Sequence, residues 1–299
     1  CDHQCQLACT RLDYEGCLNI REVKKLAVLH GMDELKERWK KPEVKFDQKV
    51  AVIGAGPAGL SAAYFLAREG FQVTVFEREE DAGGVVQYVV PHFRITREAI
   101  ASDIDFIRDH GVEFRFGIDP KFDIAAIKAE GFEYVVMGLG TYQTRRLPIE
   151  GDNEQIFASL PFLTQFNRDA SKLSMGKRVV VIGAGDTAMD CARAALRCPG
   201  VESSTIVYRR AFEQMPASQE EYEYAVEDGI EFHWLRNPER FDADGTLTLR
   251  TMELGEKDAS GRRRPVATDR TESFKADSIV YAIGDDPDAE TLKGLGLNP

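Results

Sequence analysis

The sequence predicts an α/β protein in which one strand–helix–strand unit occurs twice, after a short helical segment. Three observations predict it. The stretch "KVAVIGAGPAGLSAAYFLAREGFQVTVFER" (49–78) is a strand, a glycine turn, a small-residue helix and a second strand, the grammar of a parallel sheet. The stretch "KRVVVIGAGDTAMDCARAALRCPGVESSTIVYRR" (177–210) repeats it, and so long a period marks a repeated domain rather than a solenoid. Finally, "FEYVVMGLGT" (132–141) and "DSIVYAIGDDPD" (277–288) mirror each other as buried strands running into glycine.

Taken in order, residues 1–46 read as a separate helical segment. In "IREVKKLAVLHG" the apolar residues Ile20, Val23, Leu26 and Leu29 have helical spacing, and Gly31 is the expected stop. "KPEVKFDQ" is a polar linker. After the first repeat, "ITREAIASDIDFIRDHG" reads as a helix and "VEFRFG" as a short strand. A loop-rich join over 142–176 leads to the second repeat. Beyond it, "IEFHWL", a "DADG" turn and "TLTLRTMEL" read as short strands with turn punctuation, and "GRRRP" (261–265) as a solvated hairpin tip. The domain bounds expected from this are 1–46, then 47–145 with 278–299 as the first nucleotide domain, and 146–277 as the second.

At 299 residues the chain is long enough for two domains with real cores, and 43% apolar with 29% charged residues is ordinary for a globular protein. A net charge of −12 disfavours nucleic acid or anionic membrane as the main partner. No apolar run reaches membrane-spanning length, and no basic-flanked apolar segment opens the chain, so a cytoplasmic location is the expectation. The chain opens on Cys1 rather than methionine, which reads as a fragment or a processed chain. Cys1, Cys5, Cys9 and Cys17 crowd the start, a spacing that suggests metal or redox chemistry more than structural disulfides. Cys191 and Cys198 read as packing residues on the helix of the second repeat.

The two glycine fingerprints carry the chemistry. In "VIGAGPAG", Gly54 permits the tight turn, Gly56 lets the backbone approach a pyrophosphate, and Gly59 lets the helix lie on the sheet. The helix start then offers free N–H groups and a partial positive charge to phosphates. In "VIGAGDTA" the same places hold Gly183, Gly185 and Ala188. The strand that follows ends in Glu77 in the first copy and in Arg209, with Arg210 beside it, in the second. A carboxylate there accepts hydrogen bonds from free ribose hydroxyls and repels a 2′-phosphate, whereas guanidinium groups pair with that phosphate. The first site therefore suits FAD or NAD, the second NADPH. Two such sites imply hydride transfer between nicotinamide and flavin, which needs ring contact and excluded water rather than an acid–base residue. Consistent with this, no acid–base or nucleophile constellation is seen, and His3, His30, His92, His110 and His233 lack metal-ligand spacing.

In order, "CDHQCQLACTRLDYEGCLNIREVK", "VIGAGPAGLSAAYFLAREG", "GGVVQYVVPHFRI", "VIGAGDTAMDCARAAL" and "VYRR" make a combination that resembles the glutamate synthase small-subunit family, whose module also forms the NADPH-oxidising half of dihydropyrimidine dehydrogenase. Within it, the sequence also resembles the selenate reductase iron–sulfur subunits. The resemblance covers essentially the whole chain. It implies two Rossmann-like dinucleotide-binding domains of the adrenodoxin- and glutathione-reductase-like kind, preceded by a short α-helical domain carrying [4Fe–4S] clusters. FAD contacts are implied at Gly54, Ala55, Gly56, Pro57, Ala58, Gly59, Glu77, Arg78, Gly84, Val85, Arg94 and Gly140. NADPH contacts are implied at Gly183, Ala184, Gly185, Asp186, Thr187, Ala188, Arg209 and Arg210, with Ala282, Ile283 and Gly284 near the nicotinamide. Cys1, Cys5 and Cys9 match cluster ligands. Three thiolates do not fill a four-iron cluster, so the ligand set is incomplete, and the family's later glycine–aspartate flavin segment lies beyond Pro299.

The resulting expectation is an electron-input module: NADPH reduces FAD, and electrons pass to iron–sulfur clusters and an electron-accepting partner subunit or domain, which handles the terminal acceptor. A disulfide reductase on the same fold would need a close cysteine pair beside the flavin, and neither nucleotide domain contains C-x-x-C or C-x4-C. The alternative from another class is a nucleotide-binding scaffold subunit of a redox complex with no turnover of its own.

Overall fold

The computed structural model describes residues 4–119, 122–259 and 261–296. The chain divides into two compact units, Cys1–Glu43 and Val44–Pro299.

The first unit holds α1 (Gln4–Leu7) and α2 (Ile20–Arg38). Gly31 was expected to stop the second helix, yet α2 continues for another seven residues, to Arg38. The segment after it, "MDELKER", is rich in strong helix formers and closes on a Glu34–Arg38 pair one turn apart, enough to outweigh the roughly 1 kcal/mol cost of one interior glycine. The stripe of Val23, Leu26 and Leu29 is exposed.

The second unit begins with β1 (Lys49–Ile53), α3 (Pro57–Glu69), β2 (Gln72–Phe76), α4 (Val85–Tyr88), α5 (Arg97–Asp109), β3 (Glu113–Arg115), α6 (Ile124–Ala129) and β4 (Phe132–Met137). Its four strands form a parallel sheet in the order β3-β2-β1-β4. Val50, Ala51, Val52 and Ile53 are all essentially inaccessible, as expected of a central parallel strand covered on both faces.

The expected loop-rich join contains regular structure: β5 (Gln143–Thr144), β6 (Ile156–Ala158) and α7 (Ser159–Asp169). There follow β7 (Arg178–Ile182), α8 (Asp186–Leu196), β8 (Ser203–Tyr208), α9 (Gln219–Glu227), β9 (Glu231–Trp234), β10 (Arg236–Phe241), β11 (Thr246–Lys257), β12 (Arg263–Lys275), β13 (Ser278–Tyr281), β14 (Asp285–Asp286) and α10 (Ala289–Gly294). A second parallel sheet runs β6-β13-β7-β8-β9, and β10-β11-β12 form an antiparallel meander inserted after β9.

One domain bound is corrected. Residues 278–281 were grouped with the first nucleotide domain, but β13 pairs in parallel with β7 and β6 and so belongs to the second. The mirror between "FEYVVMGLGT" and "DSIVYAIGDD" follows from this: β4 flanks β1 as β13 flanks β7. The chain leaves the first domain through β5 and returns through β14. These two pair antiparallel, with Thr144 donating to Asp285 at 2.7 Å and Arg145 bonded to Asp286.

A second correction concerns the helix of the second repeat. Cys191 lies on α8, but Cys198 follows its end. Both are buried in one apolar cluster, where burial raises both thiols, Cys198 to about 11.

Candidate functional site

Each glycine of the first fingerprint has its own reason. Gly54 has φ +99°, and a Cβ there would sit 2.4 Å from the Gly138 carbonyl oxygen. A Cβ on Gly59 would lie 1.9 Å from the Gly54 oxygen, so this is where helix meets strand. Gly56 differs: a Cβ would meet nothing nearer than 3.9 Å. The first and third glycines close the packing, while the second leaves space above the loop. α3 starts there with Gly56 as an N-cap that has no side-chain cap bond, and Pro57 in its first turn. Its first N–H groups are therefore left for a ligand.

That space opens into a cavity of about 580 Å³, within the range of small-ligand and cofactor sites. Gly54, Gly56, Pro57, Ala58, Glu77, Arg78, Gly84, Val85 and Gly140 line it together. Ala55 and Gly59, both buried, lie behind it. Glu77 directly follows β2 with only 7% of its surface exposed. Its Oε2 accepts the Ala55 N–H at 2.6 Å and its Oε1 the Glu79 N–H at 3.0 Å, so the carboxylate ties the glycine loop to the strand end. Arg78 is exposed at the rim, 4.6 Å from the centre of the Tyr142 ring, and burial raises the Tyr142 hydroxyl. Tyr142, Gly138, Asp288 at the N-cap of α10 and Thr291 on α10 are lining residues that pattern reading missed. The glycine-ended strand "MGLG" was the available signal for Gly138, and Tyr142 follows it directly, whereas Asp288 and Thr291 arrive only through the chain's return after β14.

Arg94, expected against the flavin, is bonded to carboxylates of the second nucleotide half. It bonds both oxygens of Asp190 on α8, at 2.9 and 2.8 Å, and Glu221 on α9 at 2.5 Å. Those charged residues satisfy its guanidinium, and it is absent from the cavity wall.

In the second fingerprint, a Cβ on Gly183 would sit 2.1 Å from the Ala282 oxygen, while Gly185 faces open space up to Pro216 Cγ at 3.9 Å. The division of labour in the first copy is repeated. Ala184 accepts the Ala217 N–H at 3.1 Å, Asp186 accepts the Ser218 N–H at 3.0 Å, and Ala188 is fully buried. Thr187 stands in the first turn of α8. Ala282 donates to Ile182, Ile283 packs on the apolar cluster beneath β7 and β8, and Gly284 accepts from Arg145. At the end of β8 the two arginines part. Arg209 is exposed, while Arg210 is buried and bonded to Asp258 and to the Arg263 carbonyl.

In the first unit, Cys5 is 4.0 Å from Lys24 Nζ and Cys17 3.8 Å from Gln6 Nε2. The Leu18 and Arg11 backbones lower the Cys9 thiol. Among the described residues no three His, Cys, Asp or Glu side chains gather as metal ligands. Cys1 lies outside the described residues.

Residues 48–299 match the family described as pyridine nucleotide-disulphide oxidoreductase. The chain belongs to that family. It is 57% identical over 298 residues to YgfK of Escherichia coli (strain K12), covering 99% of this chain and 29% of that protein. It is 36% identical to the NADPH-Fe(3+) oxidoreductase subunit beta of Geobacter sulfurreducens, covering 100% of this chain and 46% of the relative. With the glutamate synthase [NADPH] small chain of Escherichia coli (strain K12) it shares 33%, over 95% of this chain and 64% of the relative. The chain thus spans less than two thirds of each of these relatives. The glutamate synthase small-subunit resemblance holds at this level. Among solved structures, FprA, a Mycobacterium tuberculosis oxidoreductase, superposes with a TM-score of 0.68 at 19% identity, over 80% of this chain and 71% of that one. The thioredoxin reductase of Lactococcus lactis gives 0.58 at 20%, over 84% and 82%. These likenesses establish the fold. No helix among the described residues is long and apolar enough to cross a membrane.

Proposed function

We propose that this chain is the nucleotide-binding part of an NADPH-dependent flavin oxidoreductase, with FAD in the first fingerprint and NADPH in the second, and that it feeds electrons to a partner subunit or further domain. The observation that carries this is the opposite charge at equivalent strand ends: Glu77 buried beside the cavity after β2, and Arg209 exposed after β8. Glu77 favours free ribose hydroxyls, while Arg209 favours a 2′-phosphate.

The two turns fit dinucleotides because Gly56 and Gly185 each leave the space that a Cβ would fill. Bound FAD would supply the ability to take hydride from a reduced nicotinamide and to release electrons onward. The residues of the chain hold and orient. The α3 and α8 starts offer N–H groups to phosphates, Glu77 fixes the glycine loop, and Arg94 fastens the two nucleotide halves through Asp190 and Glu221. No thiol pair is available for disulfide chemistry in these halves, since Cys191 and Cys198 are buried, non-adjacent packing residues. Names of relatives such as the NADPH-Fe(3+) oxidoreductase subunit beta and the NADP(+)-dependent formate dehydrogenase subunit beta of Moorella thermoacetica support a subunit role within a redox complex.

The test is anaerobic mixing of the FAD-reconstituted protein with NADPH and, separately, with NADH, following flavin absorbance. Rapid bleaching by NADPH and slow bleaching by NADH is the expected result. NADPH binding without bleaching would instead favour a scaffold.

A further inference from the structure

Arg210 is the point where the second nucleotide sheet meets the β10–β12 meander. Its Nε donates to the Arg263 carbonyl at 2.9 Å, its Nη2 to Asp258 Oδ2 at 3.1 Å, and its own carbonyl accepts the Leu235 N–H at 3.1 Å. Only 9% of the side chain is exposed. Leu235 has φ 56°, the non-glycine residue with positive φ among those described, and its carbonyl accepts the Met252 N–H at 2.8 Å. A left-handed leucine persists only where its surroundings hold it. Here it lets the chain turn from β9 into β10 while bonding both the end of β8 and the middle of β11. The hairpin joining β11 to β12 is thereby hung on the strand end that faces a nucleotide's adenosine ribose.

The arginines at this junction divide into two kinds. Arg210 and Arg263 are committed, the latter folding back onto the Gly255 carbonyl at 3.0 Å and onto the Leu254 carbonyl. Arg209 and Arg264 are exposed, and neither guanidinium makes a hydrogen bond or ion pair among the described residues. The carbonyl that Arg210 grips belongs to the peptide leading into Arg264, so the hairpin enters the strand-end region with an uncommitted cation next in the chain.

We propose that the start of β12 is a wall of the 2′-phosphate subsite: Arg209 and Arg264 supply the cations, and Arg210 with Asp258 are positioning residues that hold the strand there. This rests on reading the second fingerprint as an NADPH site. It reassigns Arg210, whose charge is neutralised by Asp258 and whose fork spans two acceptors on the hairpin. An aspartate at a phosphate subsite is otherwise adverse, and its place here follows from fastening the hairpin.

The probe is 2′,5′-ADP, with 5′-AMP as the control lacking the 2′-phosphate, titrated calorimetrically into the whole chain so that no flavin is involved. Wild type should prefer 2′,5′-ADP. Arg264→Ala should weaken it about tenfold, the scale of one charge-assisted contact, and leave 5′-AMP unchanged. Asp258→Asn and Arg210→Lys should also weaken 2′,5′-ADP selectively and increase hydrogen exchange at hairpin amides 254–259. If Arg210 were a direct phosphate ligand, Asp258→Asn would free it and tighten 2′,5′-ADP, the opposite sign, which would overturn the proposal. So would a wild-type preference untouched by Arg264→Ala. A wild type with no preference would overturn the NADPH reading itself, and the hairpin's role with it.

Discussion

Arg94 and Asp190, 96 residues apart in the chain, are joined by two hydrogen bonds of 2.9 and 2.8 Å. They link the loop between α4 and α5 to α8 in the second nucleotide half. Phe93 sits beside them under Arg193 and Arg197, 5.0 and 4.5 Å from its ring centre, and Asp228 bonds both of those arginines at 2.8 Å. Burial pushes the Asp190 carboxyl up to about 6 despite the pull of Arg94, with Glu221 adding to the rise.

The sign for pH follows from that direction. A carboxyl whose folded value lies above its ordinary 3.8 binds its proton more tightly in the folded state. Its contribution to stability is full below about pH 4 and is lost as pH rises to about 6. Asp190→Asn should remove that falling limb, changing the slope of stability against pH between about 4 and 6 and leaving it alone above, as read by urea melts. Arg94→Ala leaves buried Asp190 without its bonded cation and Glu221 with only Arg193, and should cost about 3 kcal/mol.

Gly56→Ala and Gly59→Ala make a paired test of the first fingerprint. A Cβ on Gly59 would meet the Gly54 oxygen at 1.9 Å, so this variant should lose about 3 kcal/mol or fail to fold. The Gly56 Cβ has room, so its melting temperature should stay near wild type while FAD affinity falls at least about tenfold, as the methyl fills the phosphate approach. A Gly56→Ala protein with undiminished flavin affinity would place the pyrophosphate elsewhere.

Asp277 caps the entry to β7, accepting from the Lys177 and Arg178 N–H groups at 3.0 and 2.8 Å and pairing with the Arg178 guanidinium. Arg178 and those N–H groups hold its carboxyl down to about 2. A depressed carboxyl stabilises above its ordinary value and loses that contribution as pH falls to about 2. Asp277→Asn should therefore be less stable than wild type near pH 7, by about 1 kcal/mol after solvent screening. The gap should close in acid.

Cys191 and Cys198 should resist thiol reagents in the folded protein at pH 8. Burial removes access, and at about 11 the Cys198 thiol is almost wholly protonated. Peptide mapping after labelling should find both unmodified until the protein is denatured. Rapid labelling of either in the native state would reopen a thiol-based redox role.

What the sequence by itself determined is local. Strand, turn and helix of both repeats follow from periodicity and glycine spacing, and Gly59 answers to a steric contact inside its own unit, with the Gly54 oxygen, whereas Gly54 and Gly183 meet the distant Gly138 and Ala282 carbonyls. The opposite charges of Glu77 and Arg209 were legible for the same reason, since a strand end after the fingerprint has a fixed place. Residues whose partners come from distant parts of the chain were decided only by the tertiary structure. Arg94 pairs with Asp190 and Glu221, Arg210 with Asp258 and the Arg263 carbonyl, and β13 joins the second sheet. A buried guanidinium must find acceptors, and which ones it finds depends on the elements that fold beside it. That information is absent from the "HFRI" and "VYRR" stretches in which these arginines occur.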